Sequence, residues 1–136
     1  MSTFEWLDRG FIYGPHYTLC LNEKEFHAAL DHLGVVNKPS FLNRYASATT
    51  HFPENQKGKL CAVVCLGDWK EHNGVEIAGL LTHEAVHIFQ EWCLRHGEVA
   101  PGQEIEAWSI QWLAQNLMWE FARRTVKVKQ RAGSRQ

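Results

Sequence analysis

Long apolar runs are missing from this chain. No stretch approaches the ~18–20 consecutive apolar residues of a membrane-spanning helix, so no membrane partner is expected. The opening residues, Met1-Ser2-Thr3-Phe4-Glu5-Trp6-Leu7-Asp8, lack a basic stretch followed by an apolar one, which argues against a secretory signal. Cysteine is sparse: Cys20, Cys61, Cys65 and Cys93 are the only four, and none forms a C-x-x-C pair. Cys61 and Cys65 read as residues of one strand, ~13 Å apart and too far to chelate one ion. Buried reduced thiols in a cytoplasmic protein are the expectation. Internal repeats and low-complexity linkers are absent. So are a helix-turn-helix pattern and any interleaving of aromatic with basic residues, which leaves nucleic acid an unlikely partner.

Core-forming residues are plentiful. Hydrophobic residues make up 45% of 136, with six Trp and seven Phe, enough for one globular domain with a real core. Charge is unevenly spread. All fifteen acidic residues fall within 1–122, against eight basic ones. Residues 123–136 hold the other six basic residues, Arg123, Arg124, Lys127, Lys129, Arg131 and Arg135, and no acid. The division expected is a single domain over 1–122 and a basic tail over 123–136. Such a tail suits the C-terminal end of a helix dipole and then frays.

The pattern of elements is α+β. His16-Tyr17-Thr18-Leu19-Cys20-Leu21 has strand character. Asn22 with Glu25 makes a capping box for a helix that turns Phe26, Leu30 and Leu33 inward and stops at Gly34. A hairpin follows, with strands in 45–52 and 59–66 around a polar turn at 53–58. Its second strand is almost wholly apolar and should be central. Asn73 and Glu76 form another capping box, opening a helix over 75–95 that Gly97 ends. A last helix spans 103–126, and its stripe of Ile105, Trp108, Trp112 and Phe121, with Leu113, Leu117 and Met118, is expected in the core. The expected architecture is a small antiparallel or mixed sheet, with a hairpin, packed on the second helix and on a long C-terminal one.

That second helix carries His83-Glu84-Ala85-Val86-His87, an H-E-x-x-H pentad. Residues i and i+4 share a helix face, so the two imidazoles can occupy two corners of a tetrahedral Zn²⁺ site. Glu84 projects beside the metal, where a general base must stand to take a proton from water. The uncharged neighbours Leu80-Leu81-Thr82 and Ile88-Phe89 suit a buried metal helix. His83, His87, Gln90 and Glu91 form a polar stripe that should line a cleft or solvent. Leu81, Ala85, Ile88 and Trp92 form the opposite, apolar one.

A catalytic zinc wants a third protein ligand. Glu104 and Glu106 both open the last helix, and they point ~200° apart, so only one can face the metal. H-E-x-x-H followed by E-x-x-A on a downstream helix resembles the gluzincin metallopeptidases. That resemblance implies Glu104 as the ligand and a zincin-like fold. An acid or amide often supports the first His from four residues later; Trp108 stands there instead, and Gln111 is the nearest substitute. The layout over 11–121 also resembles small phage- and prophage-encoded proteins, which would place the chain in the bacterial host cytoplasm. The resemblance implies a zinc metallopeptidase acting on a peptide or protein substrate. The metal ligands would be His83, His87 and Glu104, with Glu84 as catalytic base. His51, His72 and Tyr45 are candidates to stabilise an oxyanion. The alternatives are a non-enzymatic zinc-binding protein and a nucleic-acid-associated protein using the basic tail. Oligomeric state and cleavage specificity are not legible in the residues.

Overall fold

The structure is a computed structural model that describes residues 4–7, 14–54 and 59–126. Among these residues the chain forms four strands and three helices: β1 (Trp6–Leu7), β2 (His16–Cys20), α1 (Glu23–His32), β3 (Ala48–His51), β4 (Cys61–Leu66), α2 (Gly74–His96) and α3 (Gln103–Thr125). A single 3₁₀ turn, Trp69–Glu71, precedes α2.

The caps read in the sequence are in place. Asn73 Oδ1 accepts from Glu76 N at 2.8 Å, and Asn73 N donates to Glu76 Oε1 at 2.9 Å, a reciprocal box at the start of α2. Asn22 caps α1 by accepting from Glu25 N at 2.9 Å, but the Glu25 carboxylate accepts from Leu21 N instead of Asn22 N. Gly97 ends α2 at φ 70°, the left-handed backbone that glycine adopts without steric cost.

The sheet is mixed, in the order β1-β2-β4-β3. β1 runs antiparallel to β2, β2 parallel to β4, and β3 antiparallel to β4. The hairpin expected over 45–66 is therefore present, with Thr50 opposite Val64 and His51 opposite Val63. Every residue of β4 is buried, as its apolar run requires of a strand covered on both faces. Alternation along the strands sorts two cores. Tyr17, Leu19, Ala62, Val64 and Leu66 face Leu81, Ala85 and Ile88 of α2 and Leu113 and Leu117 of α3. Cys20, Val63 and Cys65 face Phe26, Ala29 and Leu30 of α1. The sheet thus lies between one helix and a pair. Gly67, just past β4, touches the Leu42 side chain so closely that a Cβ there would overlap it.

All four cysteines are free and buried. Burial, followed by the nearby Glu25 carboxylate, pushes the Cys20 thiol up to about 12, with Arg124 pulling partly the other way. Burial also raises Cys65, its partner across β2 and β4. No helix among the described residues is long and apolar enough to cross a membrane.

Two expectations change. The stripe on α3 is not uniformly core: Leu113 and Leu117 are buried and Trp112, Phe121 and Met118 half-buried, whereas Ile105 and Trp108 are 63% and 55% exposed, as is Trp119 outside the stripe at 67%. Among the described residues α3 packs chiefly on α2 and β2, and the side that carries Ile105, Trp108 and Trp119 is exposed. The basic segment placed at 123–136 also begins inside the fold. Arg123 and Arg124 belong to α3, and residues 127–136 lie outside the described ones.

Arg124 ties that helix to the rest. Its side chain is 1% exposed and pairs with Glu25 of α1, donates to the Leu19 carbonyl of β2 at 2.7 Å, and lies 4.0 Å from Glu120. One guanidinium therefore fastens the C-terminal end of α3 to α1 and β2, across ~100 residues of sequence. A buried pair of this kind adds little net stability compared with apolar packing, but removing one member strands a charge at a cost of ~3–5 kcal/mol. Arg124→Met is expected to lower the unfolding free energy by about that amount in urea titration. The double variant Glu25→Gln/Arg124→Met should lower it by less than Arg124→Met alone, because no charge is then left uncompensated.

Candidate metal centre

α2 is amphipathic in the sense its pentad needs. Ile77, Leu81, Ala85 and Ile88 turn to the sheet, and His83 and His87 turn away from it. The apolar neighbours of the motif bury the helix but not its imidazoles, which are exposed. Glu84, between these two faces, is only 4% exposed. It sits against the edge strand β3, where Thr50 Oγ1 donates to Glu84 Oε1 at 2.8 Å. That bond fixes one carboxylate oxygen. The other, Oε2, stands 4.0 Å from His83 Nε2.

The imidazoles are arranged as a pair. His83 Nε2 and His87 Nε2 lie 3.1 Å apart, with the rings edge-on at 75°. Two nitrogens at ~2.0–2.1 Å from one tetrahedral ion would be ~3.3 Å apart, so the spacing fits a shared cation. His87 Nδ1 donates to Gln90 Oε1 at 3.3 Å. With the proton on Nδ1, Nε2 presents its lone pair toward His83. Donor atoms of His83, Glu84 and His87 all lie within 4.8 Å of one another, and among the described residues this is the one such group that could hold a metal ion.

Glu104, expected as third ligand, does not join the group. It is exposed in the first turn of α3. α2 runs on for nine residues after His87, ~13 Å along its axis, before the chain turns back. The start of α3 therefore lies beside the far end of α2. Glu106, two residues on, lines a depression of about 340 Å³ there with Gln90, Cys93 and Ile110. Cys93 in that depression is raised by burial first, then by Glu98 and Glu106. The flank also differs: β3 lies beside Glu84, whereas α3 packs on the side of α2 that carries Phe89 and Cys93.

The auxiliary candidates disperse too. His51 is on the α1 face of the sheet, with its ring 4.7 Å from that of Phe26 and Nε2 3.0 Å from the Phe41 carbonyl oxygen. His72 pairs with Glu76 at 3.7 Å, at the start of α2. Tyr45 is 92% exposed in left-handed backbone (φ 65°), with the Arg44 guanidinium over its ring. Gln111 donates to Gln115 rather than to an imidazole, and Glu91 pairs with Arg95 at 3.2 Å. Thr50 and Gln90 are the residues whose side chains contact the pentad without having been assigned a role from the sequence. Gln90 was visible as the residue three after His87 on the polar stripe. Thr50 had only strand alternation behind it, which cannot choose a partner 34 residues away.

Compared with known family models, curated proteins and solved structures, the chain matches none.

The ligand geometry predicts a graded response to substitution. His83→Ala and His87→Ala should each abolish tight metal binding, whereas Gln90→Ala, which frees only the orientation of His87, should weaken it ~10–100-fold. Glu104→Gln should leave affinity within error of the parent. Competition against a chromogenic chelator loaded with divalent ions measures all four. A loss at Glu104 comparable to that at His83 would show α3 reaching the metal.

Proposed function

We propose that this chain is a zinc-dependent peptidase of zincin-like design, with His83 and His87 holding the ion and Glu84 acting as general base. The observation that carries this reading is the position of Glu84. Here one oxygen is committed to Thr50 and the other faces the space beside the imidazole pair, while the side chain is buried. That is the placement of a base aimed at a water between itself and the metal. Imidazole nitrogens with a carboxylate, and no thiolate nearby, suit zinc among the common divalent ions.

Bound there, zinc supplies a Lewis acid that makes water acidic near neutral pH and polarises a carbonyl. The protein's own residues do the rest. Glu84 would take the water proton on Oε2 as the water oxygen adds to the carbonyl carbon, and would deliver it to the nitrogen so that the C–N bond breaks with a neutral amine leaving. Thr50 keeps the carboxylate from swinging onto the metal, and Gln90 keeps His87 Nε2 directed inward.

The exposed imidazoles leave the site open to a large substrate. β3 supplies a reason for a peptide in particular. It is an edge strand whose outer side has no partner strand among the described residues, and Thr50 on it touches the base. An extended chain pairing with β3 would run directly past Glu84. A role in binding nucleic acid gains less support, because Arg124 is consumed inside the fold and Arg123 pairs with Glu120 at 2.6 Å.

The decisive comparison uses Glu84→Gln, which preserves size and can still accept from Thr50 but cannot take a proton. Zinc content and thermal midpoint should match the parent, while hydrolysis of a mixed peptide library falls ~10²–10⁴-fold. Thr50→Val should retain zinc and lose a smaller part of the rate. Parent and Glu84→Gln protein that both hold zinc and cut nothing would instead establish a metal-binding module without catalysis.

A further inference from the structure

The depression at the end of α2 begins one side chain away from the imidazole pair. It forms where α2 gives way to α3. Gly97 turns the chain in left-handed backbone and Glu98 N donates to the Cys93 carbonyl at 2.9 Å, so the residues after the turn fold back beside the last turns of α2. The opening turns of α3 then bring Glu106 and Ile110 up against Phe89 and Cys93. The space between them, about 340 Å³, is at the small end of ligand pockets and suits one large side chain.

Its base and its mouth differ in chemistry. Phe89 and Cys93 are buried at the base, and the Cys93 thiol, on a residue 8% exposed, has no hydrogen-bond partner among the described residues. Leu94 and Val99 stand at the mouth, both largely exposed. Glu98 and Glu106 complete the mouth, and among the described residues neither forms an ion pair. No lysine or arginine lines the space, and Arg95 is occupied with Glu91 at 3.2 Å. Both carboxylates push the Cys93 thiol up beyond what its burial does, so their charges converge on one opening.

An apolar base beneath two uncompensated carboxylates fits a side chain with an aliphatic stem and a cation at its tip. The stem covers the base while the guanidinium or ammonium meets the carboxylates. A neutral side chain would desolvate those carboxylates without a partner, and an acidic one would be repelled. Gln90 links this space to the pentad: it accepts from His87 Nδ1 at 3.3 Å and also lines the depression. Cys93 lies six residues past His87, ~9 Å along the helix axis. Residues of an extended peptide are spaced ~3.3 Å apart, so a side chain one to three residues from the bond at the metal reaches it. We propose that this depression receives an arginine or lysine side chain of the peptide substrate, at a fixed position relative to the bond that is cut. The proposal rests on the peptidase reading and adds its specificity: β3, on the other flank of α2, pairs with the backbone, and Glu98 and Glu106 select the residue.

The test uses the zinc-loaded full chain and blocked octapeptides of alanine and serine carrying one arginine, lysine, norleucine or glutamate at each position in turn. Cleavage should fall at one distance from arginine or lysine, with KM ~10-fold below that of the norleucine peptide and kcat little changed. Glu98→Gln/Glu106→Gln should erase that advantage, and Glu98→Lys/Glu106→Lys should transfer it to glutamate, with zinc content and circular dichroism as in the parent. Cleavage that ignores the basic residue, or a preference that survives both double variants, would overturn the pocket and leave the peptidase reading standing. If no peptide is cut, the peptidase reading fails and binding of the same peptides decides the pocket. Arginine peptides held ~10-fold more tightly than norleucine ones, with the difference lost in Glu98→Gln/Glu106→Gln, would uphold a basic-side-chain site without catalysis. Equal binding would overturn it.

Discussion

β4 is the constraint on which the other elements depend. All six of its residues are buried, so both faces of the sheet must be covered, and the chain supplies one helix for one face and two for the other. Its parallel pairing with β2 places that strand at its left in the sheet order and leaves β3 to pair on the other side as an edge. β3 then flanks α2, the helix that carries the imidazoles. The approach of Thr50 to Glu84 follows from this order of strands. A different position for β3 would have left Glu84 buried without a hydrogen-bond donor, a costly arrangement for a carboxylate.

The candidate metal centre combines two environments within five residues. The histidines are on the solvent side of α2, where an ion and a large substrate can reach them. The carboxylate between them is withdrawn under the edge strand, where one oxygen accepts from Thr50. Helical geometry alone produces this contrast, because Glu84 is rotated ~100° from His83 and falls on the boundary of the buried face. Accessibility of the imidazoles and burial of the carboxylate are therefore consequences of a single amphipathic helix seated beside an edge strand.

Arg124 shows how a residue's composition-level appearance can mislead about its work. It stands in the acid-free run that ends the sequence, yet it is among the most buried charges of the fold. Glu25 performs two tasks in the same place, accepting from Leu21 N at the start of α1 and pairing with Arg124. The N-terminal end of α1 and the C-terminal end of α3 are thereby joined through one carboxylate, and both are fastened to β2 through the Leu19 carbonyl. Cys20 nearby is raised by its burial and then by the Glu25 carboxylate, while Arg124 acts in the opposite direction.

Local chemistry was enough for much of this protein. Asn22, Asn73 and Gly97 set helix ends because capping is decided within a few residues, and the apolar run of β4 marked a buried central strand, while residues 55–58 of the expected turn lie outside the described ones. The i, i+4 spacing of His83 and His87 made the paired imidazoles legible for the same reason. What tertiary structure decided was the side on which each face found a neighbour. Periodicity gives the angle between two residues of a helix, but not which of them meets another element. That is why the Trp108 face could read as core and is exposed, and why Arg124 could read as tail and is buried. It is also why Glu104 could match a ligand pattern while the course of α2 beyond His87 carries α3's first turn away from the imidazoles.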